Sequence, residues 1–173
     1  MKTFIISDTH FNHKNVIEYC NRPFKNTEEM DRELINNWNN VVNEDDIVIC
    51  LGDFCFGEKE NIRKYAQKLN GHKVLVKGNH DRKKSLYIEA GFQECENYFI
   101  FPPRGLWFNS KTVILSHKPY QNLPSDTVNI HGHIHEKTLD PDKYDINRYF
   151  NVSVENINYT PIELQEIIKK MDW

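Results

Sequence analysis

Residues 3–10 read Thr-Phe-Ile-Ile-Ser-Asp-Thr-His, a short apolar run followed at once by a carboxylate and an imidazole. The run predicts a strand over Thr3 to Ser7, and its lack of clean alternation is typical of strands covered on both faces. Three later runs have the same character: Ile47 to Leu51, Lys73 to Lys77 and Thr112 to Ser116. We therefore expect a sheet of short, buried strands around residues 3–7.

Helical patterns separate the first three strands. Asn26 or Thr27 can cap a helix that runs to about Val42, with apolar residues at three- and four-residue spacing. A second helix is predicted from Asn61 to Leu69 and a third from Arg82 to Ala90, each followed by a glycine exit. This β-α-β-α-β order predicts an α/β layered core with helices on both faces.

The second half of the chain contains strand-like pieces with few residues between them. They predict a more meandering sheet: Tyr98 to Phe101, Leu106 to Phe108, Thr112 to Ser116, Val128 to His131 and Tyr149 to Val154. Pro161 begins a final amphipathic helix with Ile162 facing inward. No repeat, linker or low-complexity stretch divides the chain, so we expect a single domain over residues 1–173.

Composition excludes several function classes. A net charge of -3 argues against a long nucleic-acid track or attraction to an anionic membrane, although a nucleotide substrate remains compatible with it. No apolar stretch approaches the roughly 18 residues of a membrane span, and the first run is too short for a signal peptide. We expect a cytoplasmic protein. Its four cysteines form no CxxC pair, which indicates free thiols.

Metal-capable side chains follow the carboxyl ends of the predicted strands, which share one crevice in open α/β sheets. They are Asp8, His10, Asp53, Asn79, His117, His133 and His135. Oxygen and nitrogen ligands of this kind suit manganese, iron, zinc, nickel or cobalt. Seven ligands exceed what one ion needs, and two ions about 3.5–4 Å apart would use them all. Asp53 is the natural bridge between them because a carboxylate has two oxygens.

Each motif alone has an ordinary structural explanation. Asp8-x-His10 is found in caps and surface turns, and Asn79-His80-Asp81 is typical of a turn. Three imidazoles within residues 131–135 are harder to explain in that way. Because all the motifs follow strands, in this order, together they indicate a metal centre.

The complete series resembles the signature of the calcineurin-like metallophosphoesterase family: Asp8-x-His10, Gly52-Asp53, Gly78-Asn79-His80-Asp81, His117 and Gly132-His133-x-His135. The segments 7–13 and 21–24, the latter Asn-Arg-Pro-Phe, further resemble small bacterial and phage-type members. The resemblance implies an α/β fold in the form of a four-layer αββα sandwich of the metallo-dependent phosphatase type.

The resemblance also implies a role for each residue. Asp8, His10 and His135 would hold a first ion. Asn79, His117 and His133 would hold a second, with Asp53 bridging the two. His80 would act as a general acid or electrostatic stabiliser, and Asp81 would orient it. The implied cofactors are two divalent transition-metal ions, manganese first, with iron, nickel, zinc or cobalt as alternatives.

These assignments predict a phosphodiesterase for a small-molecule or nucleotide substrate. A metal-bridging hydroxide would attack phosphorus in line, and His80 would assist the leaving group. One alternative is a phosphomonoesterase or phosphoprotein phosphatase, which needs groups such as arginines to clamp a dianion. Another is a catalytically inactive binding scaffold on the same fold.

The remaining polar and aromatic residues near the motifs leave alternatives open. Arg22, Arg82 and Lys118 are candidate phosphate contacts, although a solvated surface charge is the ordinary fate of each. Tyr120 and Trp107 could stack on a base or ring, with core packing as the alternative. We expect His131 to support the ligands or to pack in the core, and His13 either to reach the substrate or to be an exposed loop residue. The sequence carries no signal for an oligomeric state.

Overall fold

The strand predicted at residues 3–7 is present as β1 (Thr3–Ile6). It lies within a five-stranded sheet. The structure is a computed structural model that describes residues 1–101 and 111–171. Its parallel neighbours follow in chain order outward: β2 (Ile47–Cys50), β3 (His72–Val76) and β4 (Glu94–Glu96). All three predicted strands of this half are therefore present, and their carboxyl ends lie at the same edge of the sheet.

Helices connect these strands. They are α1 (Lys14–Tyr19), α2 (Thr27–Val41), α3 (Lys59–Ala66) and α4 (Lys84–Glu89). The Asn26 side chain caps α2 by accepting a 2.9 Å hydrogen bond from the Glu29 N–H, as the sequence predicts. The short helix α1 was not predicted. Of the helices in the described ranges, none has the length and apolar character that crossing a membrane requires.

A second sheet has four strands in the order β5-β6-β7-β8. They are β5 (Tyr98–Phe101), β6 (Thr112–Ser116), β7 (Thr127–His131) and β8 (Tyr149–Asn151). The predicted meander is wrong for most of this sheet, because only β5 pairs in the antiparallel sense, while β6, β7 and β8 are parallel. The connections 117–126 and 132–148 are long enough to return the chain to the same end of the sheet. The predicted strand Leu106 to Phe108 lies outside the described residues.

The chain ends differently from the prediction. Ile162–Glu163 forms a short strand, β9, which pairs antiparallel with β1, so that Ile162 lies opposite Ile5. The final helix, α5 (Leu164–Lys170), begins only after it. The sequence pattern did not show that β2 pairs with only one edge of β1. The strand β9 covers the other edge.

Two apolar clusters lie on the two faces of the first sheet. Phe4 and Ile6 of β1 pack with apolar side chains of the helices, and the fully buried Trp38 of α2 is one of these. Ile5 points the other way and packs with the inner face of the second sheet, in a cluster that also includes Val113. The molecule thus has two sheets packed face to face and flanked by helices, and the predicted α/β fold class is confirmed.

The two sheets are also joined through the backbone at Ser7. The Ser7 N–H donates to the Val152 carbonyl at 3.0 Å, and the Val154 N–H donates to the Ser7 carbonyl at 3.1 Å. These bonds form a parallel bridge between Ser7 and Ser153. The first sheet therefore contacts the second directly before Asp8.

We expect Trp38→Ala to lower the free energy of unfolding by about 3–5 kcal/mol, because it empties a large buried site. Trp38 is 0% exposed, and its indole N–H donates to the Asn70 carbonyl at 3.0 Å. Urea denaturation followed by circular dichroism measures the loss. Ile88→Ala, at a position 48% exposed on α4, is the control and should change stability by less than about 0.5 kcal/mol. Equal losses in the two variants would contradict this description of the core.

Candidate metal centre

The structure brings all seven predicted ligands to one edge of the two sheets. Each follows the carboxyl end of a parallel strand: β1, β2 and β3 in the first sheet, β6 and β7 in the second. Two groups of three form there, and within each group one donor atom per residue lies within 4.8 Å of the others. The groups are Asp8, His10 and His135, and Asp53, His117 and His133. The first group has the same residues as the first ligand set that the resemblance implies, and the second group contains His117 and His133 of the second set together with Asp53.

Asp53 lies between the groups. One of its carboxylate oxygens, Oδ2, is 3.6 Å from His10 Nε2 and 3.4 Å from His117 Nε2. Its other oxygen accepts a 2.9 Å hydrogen bond from the His80 backbone N–H. The Asn79 side-chain oxygen is 2.9 Å from His117 Nε2, on the side of the second group. Asp53 therefore lies where its carboxylate could contact an ion held by either group.

Two buried atoms of the first group have no hydrogen-bond partner among the described residues, namely Asp8 Oδ1 and His10 Nε2. They lie 4.0 Å apart, and His135 Nε2 is also 4.0 Å from the same Asp8 oxygen. A buried polar atom without a partner costs about 1–3 kcal/mol. Three donors of the type that transition metals prefer therefore converge on one point, and the residues fit a divalent ion.

The protonation of the site also suits metal binding. Burial lowers the pKa of His10 to about 2 and the pKa of His133 to about 4, so both rings are neutral near pH 7 and offer a lone pair. Burial acts to raise the pKa of Asp53, but the hydrogen bond and charge of His117 hold it below its usual range. His10 and His133, one from each group, thus supply two neutral imidazoles beside an ionised carboxylate.

Five of the seven ligands have left-handed backbone conformations. Their φ angles are 59° for Asp8, 49° for His10, 52° for Asp53, 70° for His133 and 52° for His135. Such conformations cost about 1–3 kcal/mol each outside glycine and are concentrated at functional sites. Hydrogen bonds between the loops support them, such as the 2.9 Å bond from the His10 N–H to the Asp53 carbonyl. Tertiary structure, and not local preference, therefore positions the ligands.

Two glycines allow the loops to approach each other. A Cβ atom on Gly132 would overlap Ser7 Oγ and Asp8 Oδ2, and a Cβ atom on Gly78 would overlap Asp53 Oδ1. Neither glycine has a positive φ, so the close approach alone explains why no side chain fits there.

Arg22 is a buried part of the site, so a solvated surface charge is the wrong interpretation of this residue. It is 4% exposed and donates to the backbone carbonyls of Asp8 at 2.7 Å and Thr9 at 3.0 Å. Its Nε donates to Glu155 Oε1 at 2.9 Å. The guanidinium thus holds the loop that carries two ligands, and it is not available to a substrate.

Glu155 was missed by sequence reasoning. It follows β8, and its Oε1 lies 3.1 Å from His135 Nδ1, on the opposite side of the ring from Asp8. Burial acts to lower the pKa of His135, but hydrogen bonds to Cys20 and Glu155 raise it to about 10. The signal was its place directly after the predicted strand Tyr149 to Val154, the same relation that identified the other site residues.

Asp81 does not orient His80, contrary to the role implied above. Its carboxylate accepts four hydrogen bonds of 2.6–3.0 Å, from the backbone N–H groups of Asp53, Phe54 and Gly78 and from the Tyr87 hydroxyl. Within the described residues it has no hydrogen bond to His80. Asp81 therefore fixes the loops that carry the ligands, whereas the exposed His80 ring stands 5.6 Å from the ring of His10.

The two unassigned histidines have different surroundings. His13 Nδ1 is 3.3 Å from His10 Nδ1, and its ring stacks on Phe56 at 4.2 Å. His13 thus contacts a ligand ring on the side away from the predicted ion. His131 is buried, and its Nδ1 donates to the Gly132 carbonyl at 2.9 Å, which makes it a structural neighbour of the His133 loop.

Comparisons with known proteins agree with this geometry. A family model described as calcineurin-like phosphoesterase matches residues 1–170. An uncharacterized protein of Methanocaldococcus jannaschii is 40% identical over 178 residues, covering 99% of this chain and 92% of its own. The Gene 66 protein of Mycobacterium phage L5 is 29% identical and covers 79% of each chain. The crystal structure of a protein of unknown function from Aquifex aeolicus has a TM-score of 0.76 and 28% identity, with 98% of each chain covered.

We expect Gly132→Ala to reduce metal content to below about half of the wild-type value, because the added carbon displaces Asp8. Elemental analysis after dialysis measures this. Gly91→Ala is the control: its added Cβ meets nothing within 4 Å, although φ at Gly91 is 101°. This control should lower the melting temperature and leave metal content unchanged. A Gly132→Ala protein with full metal content would show that the loops can separate at no cost.

Proposed function

The chain belongs to the calcineurin-like phosphoesterase family, and on that premise we propose that it is a phosphodiesterase of small-molecule or nucleotide substrates with two divalent ions. The observation that carries the proposal is the position of Asp53, whose Oδ2 lies within 3.6 Å of imidazole nitrogens from both ligand groups. Asp8, His10 and His135 would hold one ion and Asn79, His117 and His133 the other. Manganese is our first choice, with iron, nickel, zinc or cobalt as alternatives.

When bound, two such ions lower the pKa of water toward neutrality and offset the charge of the phosphate oxygens. The side chains of the protein supply negative charge, fixed positions for the ligands and a proton donor. Asp53 and Asp8 bring negative charge between the imidazoles, and the inter-loop hydrogen bonds hold these groups in place before substrate arrives. The exposed His80 ring lies on the open side of the site, where it can give a proton to a leaving oxygen.

The arginines favour a diester over a monoester. A monoester phosphatase needs cations that clamp a dianion. Arg22 is bonded to backbone carbonyls and Glu155, and Arg82 donates to the Gly57 carbonyl from both Nε and Nη2 at 3.1 and 2.6 Å. Both guanidiniums are engaged in this way, so the arginine clamp expected of a monoester phosphatase is not formed by this pair.

The complete ligand set supports an active enzyme over an inactive scaffold. The seven implied metal ligands and His80 all carry the expected side chains. Two further proposals come from the sequence: the chain forms one domain over residues 1–173, and it acts in the cytoplasm.

The manganese-loaded protein should hydrolyse bis-p-nitrophenyl phosphate at least tenfold faster than p-nitrophenyl phosphate, and chelation should stop both reactions.

Asp53→Asn should bind less metal and lose at least about 100-fold in kcat, because it removes charge between the two ligand groups. Release of p-nitrophenol and elemental analysis measure the two effects.

Asp142→Asn, the same change in an exposed loop, is the control and should retain metal and activity. A protein that hydrolyses neither ester with manganese, iron, nickel, zinc or cobalt would refute the proposed function. A faster reaction with p-nitrophenyl phosphate would favour the monoesterase alternative.

His80→Ala should keep its metal but lose about 10²–10⁴-fold in kcat with an alkyl diester, whose leaving group needs a proton. The loss should be smaller with bis-p-nitrophenyl phosphate, since p-nitrophenolate leaves readily. His72→Ala, at an exposed position on β3, is the matched control and should leave both rates unchanged. Equal losses of His80→Ala with the two substrates would count against the general-acid role.

A further inference from the structure

An open cleft of about 400 Å³ lies beside the second ligand group. Asn79 and His117 form one side of it, so a phosphate at the metal centre would border the cleft directly. Its other walls come from three segments: Lys77 after β3, Tyr98 on β5, and the loop from Lys118 to Tyr120 after β6. The cleft is therefore placed to take a group attached to the reacting phosphate.

Two exposed aromatic rings line the cleft. Tyr98 is 53% exposed and Tyr120 is 44% exposed. Tyr98 lies opposite Ser116 in the β5–β6 ladder, and Ser116 is the residue directly before His117. On the other side of the centre, the exposed Phe56 already stacks on His13 at 4.2 Å. Tyr98 and Tyr120 thus leave ring faces open to a planar ligand next to a predicted metal ligand.

The loop that carries Tyr120 is held by hydrogen bonds at several points. The Tyr120 N–H donates to Asn129 Oδ1 at 2.8 Å, and the Tyr149 hydroxyl donates to the Tyr120 carbonyl at 2.7 Å. Ser116 Oγ donates to the Lys118 carbonyl at 2.7 Å. Because the backbone is already fixed, binding a ligand there costs little ordering of the loop.

The charge of the cleft is positive, in contrast to the whole chain. Lys77 and Lys118 are among the described lining residues, and no aspartate or glutamate is. The chain as a whole carries a net charge of -3. A group with its own phosphate is therefore favoured at this place over a neutral or cationic one.

We propose that this cleft binds the nucleoside of a nucleotide diester, with the base on Tyr98 and Tyr120 and a neighbouring phosphate near Lys77 and Lys118. The proposal rests on the proposed function, because it assumes that the reacting phosphate lies at Asn79 and His117. Stacking on an aromatic side chain is open to every base, because each base has a π-face. The enzyme would thereby distinguish nucleotide diesters from simple alkyl diesters.

Two substrates with the same leaving group test the base site: thymidine 5′-p-nitrophenyl phosphate and methyl p-nitrophenyl phosphate. We expect the wild-type kcat/KM to be at least tenfold higher for the thymidine compound. Tyr98→Ala and Tyr120→Ala should each reduce this ratio about tenfold, which is the loss of one stacking contact. Tyr19→Ala, at a 72% exposed position on α1, is the matched control and should leave the ratio unchanged. A wild-type ratio near one, or an unchanged ratio in both cleft variants, would overturn the proposal.

A 3′-phosphate on the thymidine substrate tests the lysines. It should lower KM in the wild type, and Lys118→Gln should remove most of that gain. If the gain is absent in the wild type, the phosphate contact is wrong. A short oligothymidylate added to the series distinguishes the source of the diester: a further gain indicates a strand, and no further gain indicates a free dinucleotide.

Binding of thymidine 5′-monophosphate, measured by calorimetry without added metal, separates this inference from the proposed function. If no diester is hydrolysed but the nucleotide binds and both tyrosine variants weaken binding about tenfold, the function fails and the cleft assignment holds. If diesters are hydrolysed but the tyrosine variants bind the nucleotide as well as the wild type does, the cleft assignment fails and the function holds.

Discussion

The connection of the two sheets at Ser7 is the constraint on which the rest of the structure depends. Its backbone bonds to Val152 and Val154 join β1 to the second sheet directly before Asp8. Because the sheets meet there, ligands from β6 and β7 lie opposite ligands from β1, β2 and β3. Gly132 allows the closest approach, since any side chain at that position would occupy the space of Ser7 and Asp8. The candidate metal centre is thus a property of the interface between the sheets.

This arrangement concentrates unfavourable contributions to the free energy of folding at one place. Asp8 is 0% exposed and burial raises its pKa, while two donor atoms of the first group have no partner in the described structure. Left-handed backbone adds to the cost. The buried Arg22 supplies positive charge from behind the loop, and Glu155 links it to His135. Arg22 and Asp81 have similar tasks, because each uses a buried charge to hold backbone so that other side chains face the centre.

Strand ends were the predictable part of this protein. Short apolar runs in the sequence predicted that Asp8, Asp53 and His117 lie at one edge, because parallel strands end together. Contacts distant in sequence were not predictable: Arg22 was interpreted as a surface charge, and its partner Glu155 is 133 residues away. The direction of β7 and β8 was missed because spacing does not encode strand order. The role of Asp81 toward His80 was implied by the family resemblance, which does not show the hydrogen bonds that the Asp81 carboxylate accepts. Trp107, predicted either to stack on a ring or to pack in the core, lies outside the described residues.

The wide separation of the ligands along the chain has a consequence for biosynthesis. Asp8 and Asp53 are translated early, but His117, His133 and His135 leave the ribosome much later, followed by the β8 segment that bridges to Ser7. A nascent chain that ends after β4 carries, of the seven predicted ligands, only Asp8, His10, Asp53 and Asn79, without the three imidazoles that complete the two groups. Ion loading should therefore be a late event, after the sheets have docked. The identity of an ion bound at this site would then depend on the pool available to the finished fold.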